Sequence, residues 1–476
     1  MEPTELAVIG AGPGGYVAAL RAAQLGLKVV LIERDKTGGT CLHRGCIPSK
    51  ALIHGARVFQ TVQKAAEFGI ELSGAPGLNY GVLAARKDKT VSQLEKGVEF
   101  LLQKRGVSVI KGDAAFHDSR SLKITAPDGS QQTLGFGYCI IATGGVPTQL
   151  PGYPLDGKVF VTSNEVLQWT ALPKSIVIIG AGVIGCEFAS LFARVGVSVR
   201  VIEMMPQVLP GFDGDVSREI GRALKKQGVD VLLETKIESA AVVDGRAQLM
   251  LAGIAGVPPA SGSEKIDADV CIIAVGRKPE TSGLKIECAG LAANAKGAID
   301  VDEHCRTKAP GIYAIGDVTG VAPLAHVASH MGIVAAEQIA GGARGGRNLT
   351  FDKSLAPWAV FTEPEVASIG LSEEKARESG REIKAGKFSF RALGRAQATG
   401  EYEGFVKIIS DAKSGALIGF HAVGSEATNL LGEAALAWTS EARVEELAET
   451  IHAHPTFPEA VGEAALAALG RGIHSL

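Results

Sequence analysis

The chain has 476 residues, 46% of them hydrophobic, and its 48 Lys and Arg against 51 Asp and Glu leave a net charge of −3. That length predicts about three domains at roughly 100–200 residues each; no basic run marks a nucleic-acid binder, and no charge-free apolar stretch of about 20 residues marks a membrane span. The acidic start Met1-Glu2-Pro3-Thr4-Glu5 carries no export signal and seven cysteines make no disulfide framework, so the chain is expected to be cytoplasmic.

Sixty glycines are the informative excess. They cluster at the ends of apolar runs, as the tight strand-to-helix turns of parallel α/β domains require. The first such run is LAVIG (6–10), followed by AGPGGYVAALRAAQLG (11–26) and LKVVLIER (27–34). It reads as strand, glycine turn, helix and strand: one βαβ unit. Gly10, Gly12 and Gly15 set out G-x-G-x-x-G, and Glu33 ends the second strand. The first glycine makes the turn, the second lets a pyrophosphate approach the backbone, and the third lets the helix pack close to the sheet. The helix N-terminus then faces the phosphate, and the acid can accept from a ribose diol.

Next comes GGTCLHRGCIPSK (38–50), with four residues between Cys41 and Cys46. A metal site would want further ligands, and only His43 and His54 are near. Two buried thiols are the other plain reading. A disulfide needs its Cα atoms within about 7 Å, whereas five residues of regular helix rise about 7.5 Å. The pair can therefore close only if the helix is distorted at its start, where Gly45 and Pro48 lie. A reducible bridge of that kind suits redox work, and the residues favour it. Lys50 shares the helical face of Cys46. Cys139, Cys186, Cys271, Cys288 and Cys305 are scattered, and most of them are expected to be inert core residues.

The βαβ pattern recurs as SIVIIGAGVIGCEFASLFARVGVSVRVIE (175–203). Gly180, Gly182, Gly185 and Glu203 repeat Gly10, Gly12, Gly15 and Glu33 in the same register, 170 residues on. Two bound dinucleotides are predicted. After a glycine-rich linker candidate, GGARGGRNL (341–349), strands and hairpins followed by helices give an α+β pattern. Near the end stands HAHPTFPEAVGEAALAAL (452–469). On its own, His454 reads as a surface histidine, and Thr456 with Glu459 reads as a capping box.

Two dinucleotide units with a C-x₄-C-x-P-S-K segment after the first resemble the pyridine nucleotide–disulfide oxidoreductases. The resemblance runs along the whole chain: YCIIATGG (138–145), with Thr143 and Gly144, is similar to the crossing from a flavin domain into a nicotinamide domain. VCIIAVGRKPE (270–280), with Gly276, is similar to the return, and IYAIGD (312–317) to a second flavin-contacting strand. Glu280 departs from the Asn that many members carry there. The fold implied is α/β: two Rossmann-like domains, for FAD and NAD, and a C-terminal α+β dimerisation domain. The expected divisions are 1–148 (FAD, first part), 149–274 (NAD), 275–348 (FAD and central, second part) and 349–476 (interface).

The resemblance also implies roles. Gly10, Gly12, Gly15, Glu33, Lys50, Thr143, Gly144, Asp317 and His326 would serve FAD. Gly180, Gly182, Gly185, Glu187, Glu203 and Gly276 would serve NAD, with Glu187 paired to Lys50. Cys41 would be the interchange thiol and Cys46 the one facing the flavin. His454 would be the base, oriented by Glu459, with His452 in support; no metal is implied. The segments C-L-x-x-G-C-I-P-S-K-A-L and H-A-H-P-T most resemble the dihydrolipoamide dehydrogenase group. That implies a homodimer serving a lipoyl-bearing acyltransferase subunit of a 2-oxo acid dehydrogenase complex, or a lipoyl carrier protein. The alternatives are an NADPH-dependent reductase of a small disulfide and a flavin-binding interaction protein. Glu203, Met204 and Met205 stand where NADPH-using relatives place arginines, and Ala460 follows Glu459 where glutathione reductases carry a second Glu. Mercuric reductases need a late cysteine pair, and the last cysteine here is Cys305.

Overall fold

In the computed structural model, which describes residues 2–253 and 265–474, the first apolar run is the middle of a parallel sheet. Strand β1 (Thr4–Ile9) leads through helix α1 (Pro13–Gln24) to β2 (Val29–Glu33). The chain then forms α2 (Gly39–Arg44), α3 (Cys46–Gln63) and α4 (Tyr80–Lys104) before β3 (Ser108–Lys111). An antiparallel meander, β4 (Asp113–Asp118) and β5 (Ser121–Thr125), runs into the long β6 (Gln131–Ile141). The second half of β6 pairs in parallel with β1, so Leu6, Ala7 and Val8 are wholly buried between neighbours. A strand covered on both faces must be apolar throughout rather than alternating.

A short ribbon, β7 (Gly145–Pro147), leaves this sheet for a second one. There β8 (Phe160–Thr162), α5 (Ser163–Val166), β9 (Ser175–Ile179), α6 (Val183–Arg194), β10 (Ser198–Ile202), α7 (Gly214–Lys226) and β11 (Asp230–Leu232) follow in turn. A three-stranded meander, β12 (Thr235–Val243), β13 (Arg246–Gly253) and β14 (Lys265–Ala268), precedes β15 (Val270–Ile273). The parallel order is β11-β10-β9-β15-β8. The chain returns through β16 (Arg277–Pro279), antiparallel to β7. Then β17 (Ile312–Ala314) rejoins the first sheet beside β6, and α8 (Ala325–Ala340) packs on α1.

The last sheet is antiparallel, in the order β18-β19-β22-β21-β20. Its strands are β18 (Trp358–Val360), β19 (Glu365–Gly370), β20 (Ile383–Ser389), β21 (Phe405–Asp411) and β22 (Leu417–Gly424). Between them lie α9 (Glu373–Glu378) and α10 (Gly394–Thr399), and α11 (Ala427–Thr439), α12 (Val444–Glu449) and α13 (Glu459–Ala468) follow. The stretch 341–349, expected as a linker, is tied down at two points. Arg344 pairs with Glu5 at 2.6 Å, and Arg347 reaches the buried Glu337 at 3.1 Å. Among the described residues, no helix is long and apolar enough to cross a membrane.

One ion cluster fastens the last sheet to the second. Lys407 of β21 is 4% exposed, and its Nζ lies 3.0 Å from Asp213, 3.0 Å from Asp215 and 2.8 Å from Glu373. Asp213 caps α7. Burial alone would lower the Lys407 ammonium, yet Glu373 and Asp213 hold it above its ordinary range. Burial would likewise raise Asp215, but its bonds to Lys407 and Arg218 bring it down to about 2. Removing one partner of a buried pair leaves the others unmatched, so Lys407→Met should cost about 3 kcal/mol in thermal unfolding at neutral pH. Because the folded Asp215 binds its proton later than the unfolded one, this contribution is full above about pH 4 and fades as the pH falls through about 2. A melting difference between wild type and variant that persists unchanged at pH 2 contradicts the assignment.

Candidate redox site

The two glycine turns are built alike. Gly10 and Gly180 both have φ +100°, a conformation that side chains resist. A Cβ at Gly15 would fall 1.8 Å from Gly10 O, and one at Gly185 would fall 1.9 Å from Gly180 O. These helices therefore touch their strands only because the third glycine is bare. At the middle glycines, Gly12 and Gly182, an added Cβ would meet no atom within 4 Å. Each sits at the N-cap, and among the described residues no side chain bonds the first-turn N–H groups. Open space, free donors and a helix N-terminus together fit a pyrophosphate.

Glu33 and Glu203 close the two turns. Glu33 accepts from Ala11 N at 2.6 Å and from Asp35 N at 2.7 Å; Glu203 accepts from Ala181 N at 2.7 Å and from Met205 N at 2.9 Å. Both acids thus brace the turn as well as edging the open space. Burial holds the Glu33 carboxyl above its ordinary value. Arg200 is occupied elsewhere, 2.6 Å from Asp230, and Met204 and Met205 are exposed.

The cysteines lie on either side of a break. Helix α2 ends at Arg44, Gly45 takes φ −151° and ψ −114°, and α3 opens on Cys46. The distortion expected at Gly45 is thus a full interruption. This segment is packed on the first cradle so closely that a Cβ on Gly39 would lie 2.6 Å from Gly12 Cα. Both thiols are free and half-buried. The Cys41 thiol donates to Cys46, which brings Cys46 down to about 7, with Lys50 assisting against burial. Cys41 is correspondingly pushed far above its ordinary range, by that hydrogen bond and then by burial. The charge of the dithiol therefore rests on Cys46, at the N-terminus of α3.

One turn further along α3, Lys50 Nζ meets both carboxylate oxygens of Glu187, at 2.9 and 2.8 Å. Glu187 is on α6, the helix of the second cradle, and is only 4% exposed. Cys41, Cys46, Lys50 and Glu187 are thus brought together. Near them is a residue the sequence reading did not single out, although it follows Gly276. The Arg277 guanidinium bonds Gly145 O, lies 3.5 Å from Thr40 Oγ1 and sits 3.7 Å from Asp317. Burial raises the Asp317 carboxyl against the pull of Arg277. Thr143 Oγ1 donates to Glu280 O at 2.7 Å, and Glu280 N donates to Gly144 O at 2.9 Å. This pins the two crossings together. Gly276 has φ +108°, and His326, at the start of α8, sits 2.8 Å from Pro357 O through Nε2.

His454 is elsewhere. Its side chain is 75% exposed, and its Nδ1 is 2.8 Å from Glu459 Oε1. Among the described residues it makes no hydrogen bond with Cys41 or Cys46. Glu459 also accepts from Thr456 N at 2.8 Å. This is one half of the expected capping box; the other half is missing, because Thr456 Oγ1 turns to Ala453 O and α13 begins at Glu459 itself. Burial would raise the Glu459 carboxyl, but the Thr456 N–H and His454 outweigh it and hold it low. His452 is mostly buried, 2.8 Å from Glu433, which raises its pKa. Glu433 is a partner no spacing announced.

A family model described as pyridine nucleotide-disulphide oxidoreductase matches residues 4–332, and the dimerisation domain of the same family matches residues 356–465. A dihydrolipoyl dehydrogenase of Haloferax volcanii is 42% identical over 478 residues, covering 99% of this chain and 98% of that one. One of Bacillus subtilis is 40% identical over 479 residues, covering 99% of each. Among solved structures, LpdA from Mycobacterium tuberculosis aligns with a TM-score of 0.88 at 28% identity, over 97% of this chain and 99% of that one. The HOCl-induced flavoprotein disulfide reductase RclA from Escherichia coli aligns at 0.82 and 27%, with the same coverage. With both halves matched and the relatives aligned from end to end, the chain belongs to the pyridine nucleotide–disulphide oxidoreductases.

Proposed function

We propose that the chain oxidises protein-bound dihydrolipoyl groups to lipoyl and reduces NAD+ to NADH, through FAD and the Cys41–Cys46 pair. One observation carries the reading: Lys50, one turn beyond Cys46, is paired with Glu187 on the helix of the second cradle. That bond places the dithiol, the first cradle and the second cradle at one point. In this reading the first cradle, with Gly10, Gly12, Gly15 and Glu33, holds FAD, together with Lys50, Thr143, Gly144, Asp317 and His326. The second, with Gly180, Gly182, Gly185 and Glu203, holds NAD, together with Glu187 and Gly276. FAD, when bound, supplies the two-electron acceptor between the dithiol and NAD.

The chain's own residues handle sulfur and protons. A thiolate attacks a disulfide far better than a thiol does, so the substrate must first lose a proton. His454 takes it, and Glu459 fixes the tautomer through Nδ1, leaving Nε2 to face the substrate. The substrate thiolate attacks Cys41 of the disulfide, and Cys46 leaves as a thiolate beside Lys50. The second substrate thiol then displaces Cys41, whose sulfur takes up a proton. The result is the arrangement described above, with Cys41 donating to a charged Cys46.

Since His454 makes its bonds within its own domain, we assign it to the active site of the other subunit of a homodimer. The lipoyl group arrives on an acyltransferase subunit of a 2-oxo acid dehydrogenase complex or on a carrier protein, in the cytoplasm. Glu203 favours a free ribose hydroxyl and repels a 2′-phosphate.

The deciding assay offers dihydrolipoamide and glutathione, each with NAD and with NADP. Turnover should be confined to dihydrolipoamide with NAD. Glu203→Gln keeps an acceptor at the turn but removes the charge, and should narrow the preference for NAD by about tenfold, or ~1.4 kcal/mol. Efficient use of NADP with glutathione by the wild type would sink the reading. His454→Ala should lose dihydrolipoamide oxidation by roughly 10²–10⁴-fold while keeping NADH oxidation by an artificial quinone. For the shared site, Cys46→Ser and His454→Ala subunits are mixed. Half of randomly formed dimers are hybrids with one intact site, so activity should recover to about a quarter of wild type. No recovery would mean that histidine and cysteines serve within one chain.

A further inference from the structure

The segment between β18 and β19 belongs to the last sheet, yet it lies along α6 of the second cradle. Phe361 N donates to Glu187 Oε1 at 2.9 Å, and Glu363 N donates to Ser190 Oγ at 3.2 Å. Gln227 Nε2 donates to Glu363 O at 2.5 Å. The Glu363 carboxylate stands 3.7 Å from Arg57 on α3 and 3.8 Å from Arg194 on α6. The segment is thus held to both helices two turns beyond Lys50 and Glu187. At its near end, the Phe361 ring lies under the Lys50 ammonium, 4.8 Å from ring centroid to Nζ.

A phenylalanine at a domain junction ordinarily only fills space. Here the side chain does pack on a core cluster, but its ring face and its main-chain N–H also both fall on one ion pair. A lysine is a point charge on a flexible four-carbon stem, and a single carboxylate leaves it free to pivot. An aromatic face beneath it restricts that motion, and a main-chain donor fixes the carboxylate from the other side. Glu187 therefore accepts three contacts from two donor groups, two from Lys50 Nζ and one from Phe361 N.

We propose that Phe361 is a positioning residue for the redox relay: its N–H fixes Glu187 and its ring holds the Lys50 ammonium between Cys46 and the second cradle. This rests on the function proposed above. It also makes the geometry of the relay depend on how the last sheet is docked against the other two.

The test compares Phe361→Leu, Phe361→Met and Phe361→Tyr holoenzymes with wild type. The groups facing Cys46 are Cys41, Lys50 on its own helix, Glu187 from α6 and Arg277 from β16. Only Lys50 and Glu187 touch the altered ring or its main chain. One readout is the pH at which the thiolate–flavin absorbance of chemically reduced enzyme disappears. The others are the rapid-reaction rate of flavin reduction by NADH and the KM for dihydrolipoamide. Leu and Met should move the absorbance midpoint upward by about half a unit and slow flavin reduction about fivefold. KM should not change, and Tyr, which keeps the ring, should restore both values. A wild-type midpoint in a folded Leu or Met variant overturns the proposal. So does a uniform loss of every activity with no midpoint shift, which would be packing alone. Inertness of the wild type toward dihydrolipoamide and NAD would instead overturn the functional reading, because the midpoint is read without either substrate.

Discussion

A carboxylate taken out of water costs several kcal/mol unless a cation and donors meet it, and Glu187, 4% exposed, is in that position. Its requirement orders the middle of the molecule. Lys50 must come from α3, Phe361 must bring its N–H from the last sheet, and α6 must present the acid to both. Three parts of the chain that share no strand are thereby registered at one point. The thiols profit from it: the same ammonium that satisfies Glu187 helps to hold charge on Cys46, against burial that would oppose it.

The second organising constraint is closeness of backbone. Helices α1 and α6 start so near their strands that a methyl group at Gly15 or Gly185 would overlap a carbonyl oxygen. The cysteine segment then leans on the first turn in the same way, at Gly39 against Gly12. Because these contacts are main chain to main chain, they cannot relax by turning a side chain. The distance between the dithiol and the first cradle is therefore set by rigid parts, as a redox site needs.

What was legible in the sequence follows from locality. The two βαβ units, the cysteine pair and the glycines are signals confined to about 30 residues, and each appears where periodicity and turn chemistry put it. Whatever depends on meetings across the chain was not legible by periodicity. Lys50 and Glu187 are separated by 137 positions and were paired only through family resemblance. Arg277, Phe361 and Glu433 carry no local signature, since an arginine after a glycine or a phenylalanine in a strand-like run is ordinary. Local rules were also incomplete at two places. Thr456 and Glu459 have capping-box spacing, and Thr456 N does donate to Glu459, but Thr456 Oγ1 turns to Ala453 O and the helix starts two residues late. The glycine-rich stretch 341–349 reads locally as a linker candidate, and composition alone does not show that its two arginines meet Glu5 and the buried Glu337.

The division of charge in the dithiol sets the terms for the proposed chemistry. On the proposed function the incoming thiol meets the pair as a disulfide, whose sulfurs carry no charge with which to accept its proton. A base must come from outside the pair. The His454–Glu459 couple is complete before any partner arrives: its carboxylate is held low by a main-chain donor as well as by the imidazole, and the ring stands exposed with one nitrogen engaged. A base oriented in advance needs no rearrangement on assembly, only delivery. On the proposed function, dimerisation is that delivery: it joins a subunit that can hold a thiolate to one that can make a thiolate.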